Sequence, residues 1–89
     1  MTFTPGITLT NETAAQELAG GLAAIEQGQT EFTFGVTTNI DSSAVACMLA
    51  WKRQAIKSGI QLKFDDLPEN LTHLIHLYGV TELLNNQQT

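Results

Sequence analysis

Phe32, Phe34 and Val36 alternate with Thr33 and Gly35, as a strand with one buried face should. Beyond them Val45, Met48, Leu49, Lys52 and Ile56 follow helical spacing instead. The change of period predicts a strand over 32–36, a polar loop, and a helix over about 43–57. Lys52, Arg53 and Lys57 lie toward that helix's negative C-terminal end, and Gly59 closes it. Upstream, Ile7-Thr8-Leu9 alternates like a strand. Thr10 or Asn11 is placed to cap a helix whose inward face is Ala14, Leu18, Leu22 and Ile25, with Gly28 ending it. Gly20 and Gly21 sit inside this helix and weaken it by about 1 kcal/mol each relative to Ala. Either the helix bends there or another element packs close.

Downstream, Ile60, Leu62 and Phe64 repeat the strand period. Asp65-Asp66-Leu67-Pro68-Glu69 then carries the acids and proline of a helix start. Leu71, Leu74, Ile75 and Tyr78 have the i, i+3, i+4, i+7 spacing of a buried stripe, and Gly79 stops the helix. The βαβαβα order implies parallel pairing with right-handed crossovers. Phe32, Phe34, Val36, Ile60, Leu62, Leu71, Leu74 and Ile75 are the expected core. Trp51 is favoured as core because a large aromatic buries much area, with a half-exposed interface anchor as the alternative.

Composition narrows the class. Eighty-nine residues with 43% hydrophobic content form one small globular domain over 1–89, and the polar tail 85–89 is expected to fray. Nine acidic against four basic residues give a net charge of −5, which argues against nucleic acid or an anionic membrane and for a basic protein surface as partner. No long apolar run or secretory leader is evident, so no membrane insertion is expected. The single cysteine, Cys47, fits a reducing cytoplasm.

In a parallel sheet, the loops at the carboxyl ends of the strands share one edge, where ligands and partners usually sit. Thr10-Asn11-Glu12 and the stretch from Thr37 through Asn39 and Asp41 to Ser42 and Ser43 fall there. A hydroxyl at the start of the second helix faces unsatisfied N–H groups and the positive dipole end. It suits a cap, an anion, a phosphate or a docking group, and a plain cap by Asp41 or Ser42 is the simplest use. Catalytic chemistry finds little support. His73, His76 and Glu69 fall short of a metal's usual ligand set, and the histidines lie too far along a different helix to form a triad with Ser42 and Asp41. Cys47 falls on the core side of its helix, and no glycine-rich phosphate loop occurs. No catalytic residue, metal or cofactor is therefore assigned.

Asp41-Ser42-Ser43-Ala44-Val45 resembles the Asp-Ser/Thr-Ser/Gly-Gly-Leu element of STAS domains, the family of the anti-sigma-factor antagonists. Ser58-Gly59-Ile60-Gln61-Leu62 resembles that family's Gly-x-x-Leu entry to the next strand. Leu67-Pro68 followed by Leu71, Leu74, Leu77, Gly79-Val80 and Leu83-Leu84 is similar to its closing helix and tail. The resemblance covers residues 30–85 and departs at Ala44, where members usually carry Gly. It implies a STAS-like α/β domain, a mostly parallel sheet of about three to five strands with about three packed helices. It also implies a non-enzymatic binding module. The short N-terminal region, 2–9, is more like the cytoplasmic STAS subunit of Mla-type phospholipid ABC transporters, docked on the ATPase. The alternative is an anti-sigma-factor antagonist whose Ser42 is phosphorylated by an anti-sigma kinase. Either way, the expected partner surface comprises Asn11, Glu12, Asn39, Asp41, Ser42 and Ser43.

Overall fold

The computed structural model describes residues 2–84; the tail 85–89, expected to fray, lies outside the described residues. In chain order the described elements are β1 (Thr2–Phe3), β2 (Thr8–Leu9), α1 (Ala14–Glu26), β3 (Glu31–Thr33), β4 (Asn39–Ile40), α2 (Ser42–Lys57), β5 (Lys63–Asp65) and α3 (Glu69–Leu77). They form a small α/β domain in which every strand pairing is parallel, but the strands divide between two sheets, β1-β3-β5 and β2-β4.

The division comes from two turns that interrupt what would otherwise be longer strands. Pro5 and Gly6 separate β1 from β2. Opposite them the chain turns at Gly35-Val36, where the Thr37 N–H donates to the Phe34 carbonyl at 3.0 Å. Thr37 is buried and its hydroxyl donates to the Gly6 carbonyl at 2.9 Å, which ties one interruption to the other. The Thr38 and Asn39 N–H groups both donate to Ile7 and set the register of β2 with β4. The expected strand over 32–36 therefore stops at Thr33, and Val36 is 50% exposed on the turn instead of buried. The polar loop expected before α2 contains a strand of its own, β4.

In-register pairing stacks Phe3, Phe32 and Phe64 across the larger sheet. Trp51 of α2 is fully buried against that row, edge-on to Phe32 with centroids 5.1 Å apart and to Phe3 at 6.0 Å. Its indole N–H donates to the Leu18 carbonyl of α1 at 3.1 Å. Gly21 makes that approach possible, since a Cβ there would lie 2.2 Å from the indole nitrogen. The paired glycines of α1 thus accommodate a neighbour.

Gly59, at a φ of +74°, closes α2: its N–H donates to Ile56 and the Ile60 N–H to Ala55, the paired bonds of a Schellman motif. Gly28 and Gly79 close α1 and α3 in the same way. Helix starts differ more from expectation. Neither Thr10 nor Asn11 caps α1; residues 10–13 form a turn and Thr13 is the N-cap. Asp65 ends β5, Asp66 takes a left-handed φ of +56° that aspartate tolerates, and α3 begins only at Glu69.

Phe32, Phe34, Leu62, Leu71 and Ile75 are buried as expected, while Ile60 and Leu74 are half-buried. Tyr78 leaves the expected stripe because α3 ends at Leu77, and its ring is exposed. Ile56 is also exposed, for α2 buries Ala44, Val45, Cys47, Met48, Trp51, Lys52 and Ala55 instead. No helix among the described residues is long and apolar enough to cross a membrane.

Candidate functional site

The expected partner residues do come together. β4 lies beside β2, so the turn after β2 and the start of α2 emerge at one end of the smaller sheet. Asp41 joins them: one carboxylate oxygen accepts from the Asn11 N–H at 3.0 Å, the other from the Ser43 N–H at 2.8 Å. The backbone N–H of Asn11, then that of Ser43, holds the Asp41 carboxyl below its ordinary range by bonding its charged form. Asn39 donates from its side-chain amide to the Thr8 hydroxyl at 3.3 Å, a second tie between the strands. Asn11, Glu12, Asn39 and Ser42 are exposed, and Asp41 and Ser43 are half-buried.

This arrangement separates two roles that the sequence left joined. Asp41 is the N-cap of α2, as its extended backbone and its bond to Ser43 require. Ser42 is the first helical residue, with its side chain exposed. A negative charge there would meet the positive end of a 16-residue helix, but would also stand beside the Asp41 carboxylate.

Ser42 also edges an apolar groove of about 290 Å³, lined further by Val45, Ala46, Leu49, Tyr78 and Val80. Sequence periodicity gave no sign of it, because Val45 and Leu49 are buried or half-buried on α2 as ordinary core-side positions would be, and Tyr78 falls in the expected buried stripe although its side chain is exposed. The groove forms where α2 meets the chain leaving α3.

The other chemistry-bearing residues lie elsewhere. Cys47 is buried, 3.7 Å from the Ala14 carbonyl, and burial raises its thiol pKa, with the charges of Glu17 and Asp41 adding to the effect. His73 and His76 are exposed on α3. Among the described residues, no three His, Cys, Asp or Glu side chains gather as metal ligands would. Lys52 is 5% exposed; its ammonium donates to the Leu62 carbonyl at 2.7 Å and lies 5.6 Å from the Phe64 ring centre. Burial lowers its pKa.

Comparisons with protein-family models, with curated proteins and with solved structures find no match to this chain.

Proposed function

We propose that this chain is a non-enzymatic docking module, a STAS-like cytoplasmic subunit that binds and supports the ATPase of an Mla-type phospholipid ABC transporter. The observation that carries the proposal is the division of labour at the start of α2. Asp41 supplies the side-chain cap, so the exposed Ser42 hydroxyl is available to a partner next to an apolar groove and a polar turn. An interface patch needs that combination, apolar surface for affinity and a polar rim for register. The acids at this end, Glu12 and Asp41, suit a basic partner surface.

The test is purification of the tagged chain from its native source, with identification of what comes with it. Recovery of a transporter ATPase with the wild type and its loss with Ser42→Arg supports the proposal; an ATPase retained equally by both refutes the assigned surface. The exposed hydroxyl at a helix N-terminus also keeps the antagonist alternative in view, since such a site accommodates phosphate. Incubating the recovered partner with the chain and ATP separates the two: a docking subunit stays unmodified, whereas an antagonist gains phosphate on Ser42.

A further inference from the structure

The Asp41 carboxylate is engaged on both oxygens, one by the Asn11 N–H at 3.0 Å and the other by the Ser43 N–H at 2.8 Å. The first of these bonds spans 30 residues of chain, from the start of α2 to the turn after β2. That turn otherwise closes on itself. The Thr13 N–H donates to the Thr10 carbonyl at 3.0 Å and the Thr10 N–H to the Thr13 hydroxyl at 3.1 Å. The Thr13 hydroxyl donates in turn to the Thr8 carbonyl at 2.9 Å. None of these bonds reaches α2, so the Asn11 N–H is what ties the tip of the turn to the helix start. The next residue, Glu12, is exposed and forms no ion pair among the described residues.

We infer that Asp41 is a positioning residue and that, of the two acids at this end, Glu12 is the one offered to a basic group of the partner. A cation approaching Asp41 would have to share or displace two backbone bonds on a half-buried side chain. Glu12 carries neither constraint. By holding Asn11, Asp41 fixes the turn that presents Glu12 at the same end of the smaller sheet as Ser42. The matching group is a Lys or Arg at the rim of the interface, where a charge sets register and association rate. The contact with a partner rests on the proposed docking function; the hold on Asn11 does not.

Asp41→Asn separates capping from positioning. Asparagine caps a helix about as well as aspartate, but it offers one oxygen where Asp41 uses two. Asp41→Ser, also a good cap and shorter, should behave alike. Both variants should melt within a few degrees of wild type. Their Asn11 amide should exchange with solvent at least about tenfold faster than in wild type, with Ser43 little changed. Unchanged exchange at Asn11 in both overturns the positioning role.

Affinity for the transporter ATPase, measured at low salt, completes a double-mutant cycle. Glu12→Gln should weaken binding at least about threefold in the wild-type background. With Asp41→Asn present the same change should cost less than about 1.5-fold, because the loosened turn no longer presents the carboxylate. Equal losses in the two backgrounds overturn the link between Asp41 and Glu12, and no loss in either overturns Glu12 as the contact. An ATPase that fails to bind wild type contradicts the docking function instead, and the exchange of Asn11 still decides whether Asp41 positions the turn.

Discussion

Replacing Gly21 by Ala should destabilise the protein, although helix propensity alone would favour the change by about 1 kcal/mol. The added Cβ would lie 2.2, 2.4 and 2.8 Å from three atoms of the Trp51 indole, where unstrained contacts need about 3.5–4.0 Å. The indole must move by more than about an ångström to restore that spacing. It has little room to do so, being fully buried with the rings of Phe3, Phe32 and Phe34 centred 6.0, 5.1 and 6.4 Å away. Overpacking costs roughly 1–3 kcal/mol. Pulling the indole N–H from the Leu18 carbonyl adds roughly 1–3 kcal/mol if the donor is left unpaired. Less the propensity gain, the net loss is roughly 1–5 kcal/mol, a large share of the stability of a domain this size. Gly20→Ala is the control, because its Cβ would meet the Phe3 ring at 3.4 Å, a distance a small shift relieves. Urea melts followed by circular dichroism should place Gly21→Ala below wild type and Gly20→Ala at or above it. Two variants of equal stability would refute the packing of Trp51 against α1.

Lys52 gives a pH signature. Its lowered folded-state pKa means that the unfolded chain holds the proton more tightly, so stability should rise as pH climbs from that lowered value toward the usual lysine range; Lys52→Met should flatten this slope in urea melts. Asp41→Ala should lower the melting temperature, whereas Ser42→Ala should leave it nearly unchanged. Because the Asp41 pKa is depressed, its stabilisation is full above the ordinary carboxylate range and disappears as pH falls through the lower folded value, a loss that Asp41→Ala should not show. Cys47 should react with a thiol reagent far more slowly in the folded protein than in urea, and equal rates would show that it is accessible.

Helices were the legible part of the fold, because apolar spacing and a following glycine are local signals. Gly28, Gly59 and Gly79 close the helices where the sequence placed those closures. Strand limits were less legible. Val36 continues the alternation of Phe32 and Phe34, yet the chain turns there because Thr37 is bonded to Gly6, a partner 31 residues away. Strands of two residues, such as β1 and β4, are too short to show a period. Gly21 and Trp51 were each visible as unusual, but their fit is a contact between helices. At the site, the sequence identified the cluster around Asp41 and Ser42 and left open which residue capped the helix. The Ser43 N–H, which donates to the Asp41 carboxylate, settles that in favour of Asp41. The groove beside Ser42 was hidden because Tyr78 extends an apolar stripe in sequence while lying beyond the last turn of α3 in space.

The surface around Ser42 is tested most directly by titrating the transporter ATPase with wild-type chain and with Ser42→Arg in a calorimeter. Wild type should bind saturably. Ser42→Arg should bind at least about tenfold more weakly, since an unpaired charge in an interface costs several kcal/mol, while melting within a few degrees of wild type. Equal affinities for the two proteins would contradict the assignment of this surface, and no binding by the wild type would contradict the ATPase as its partner.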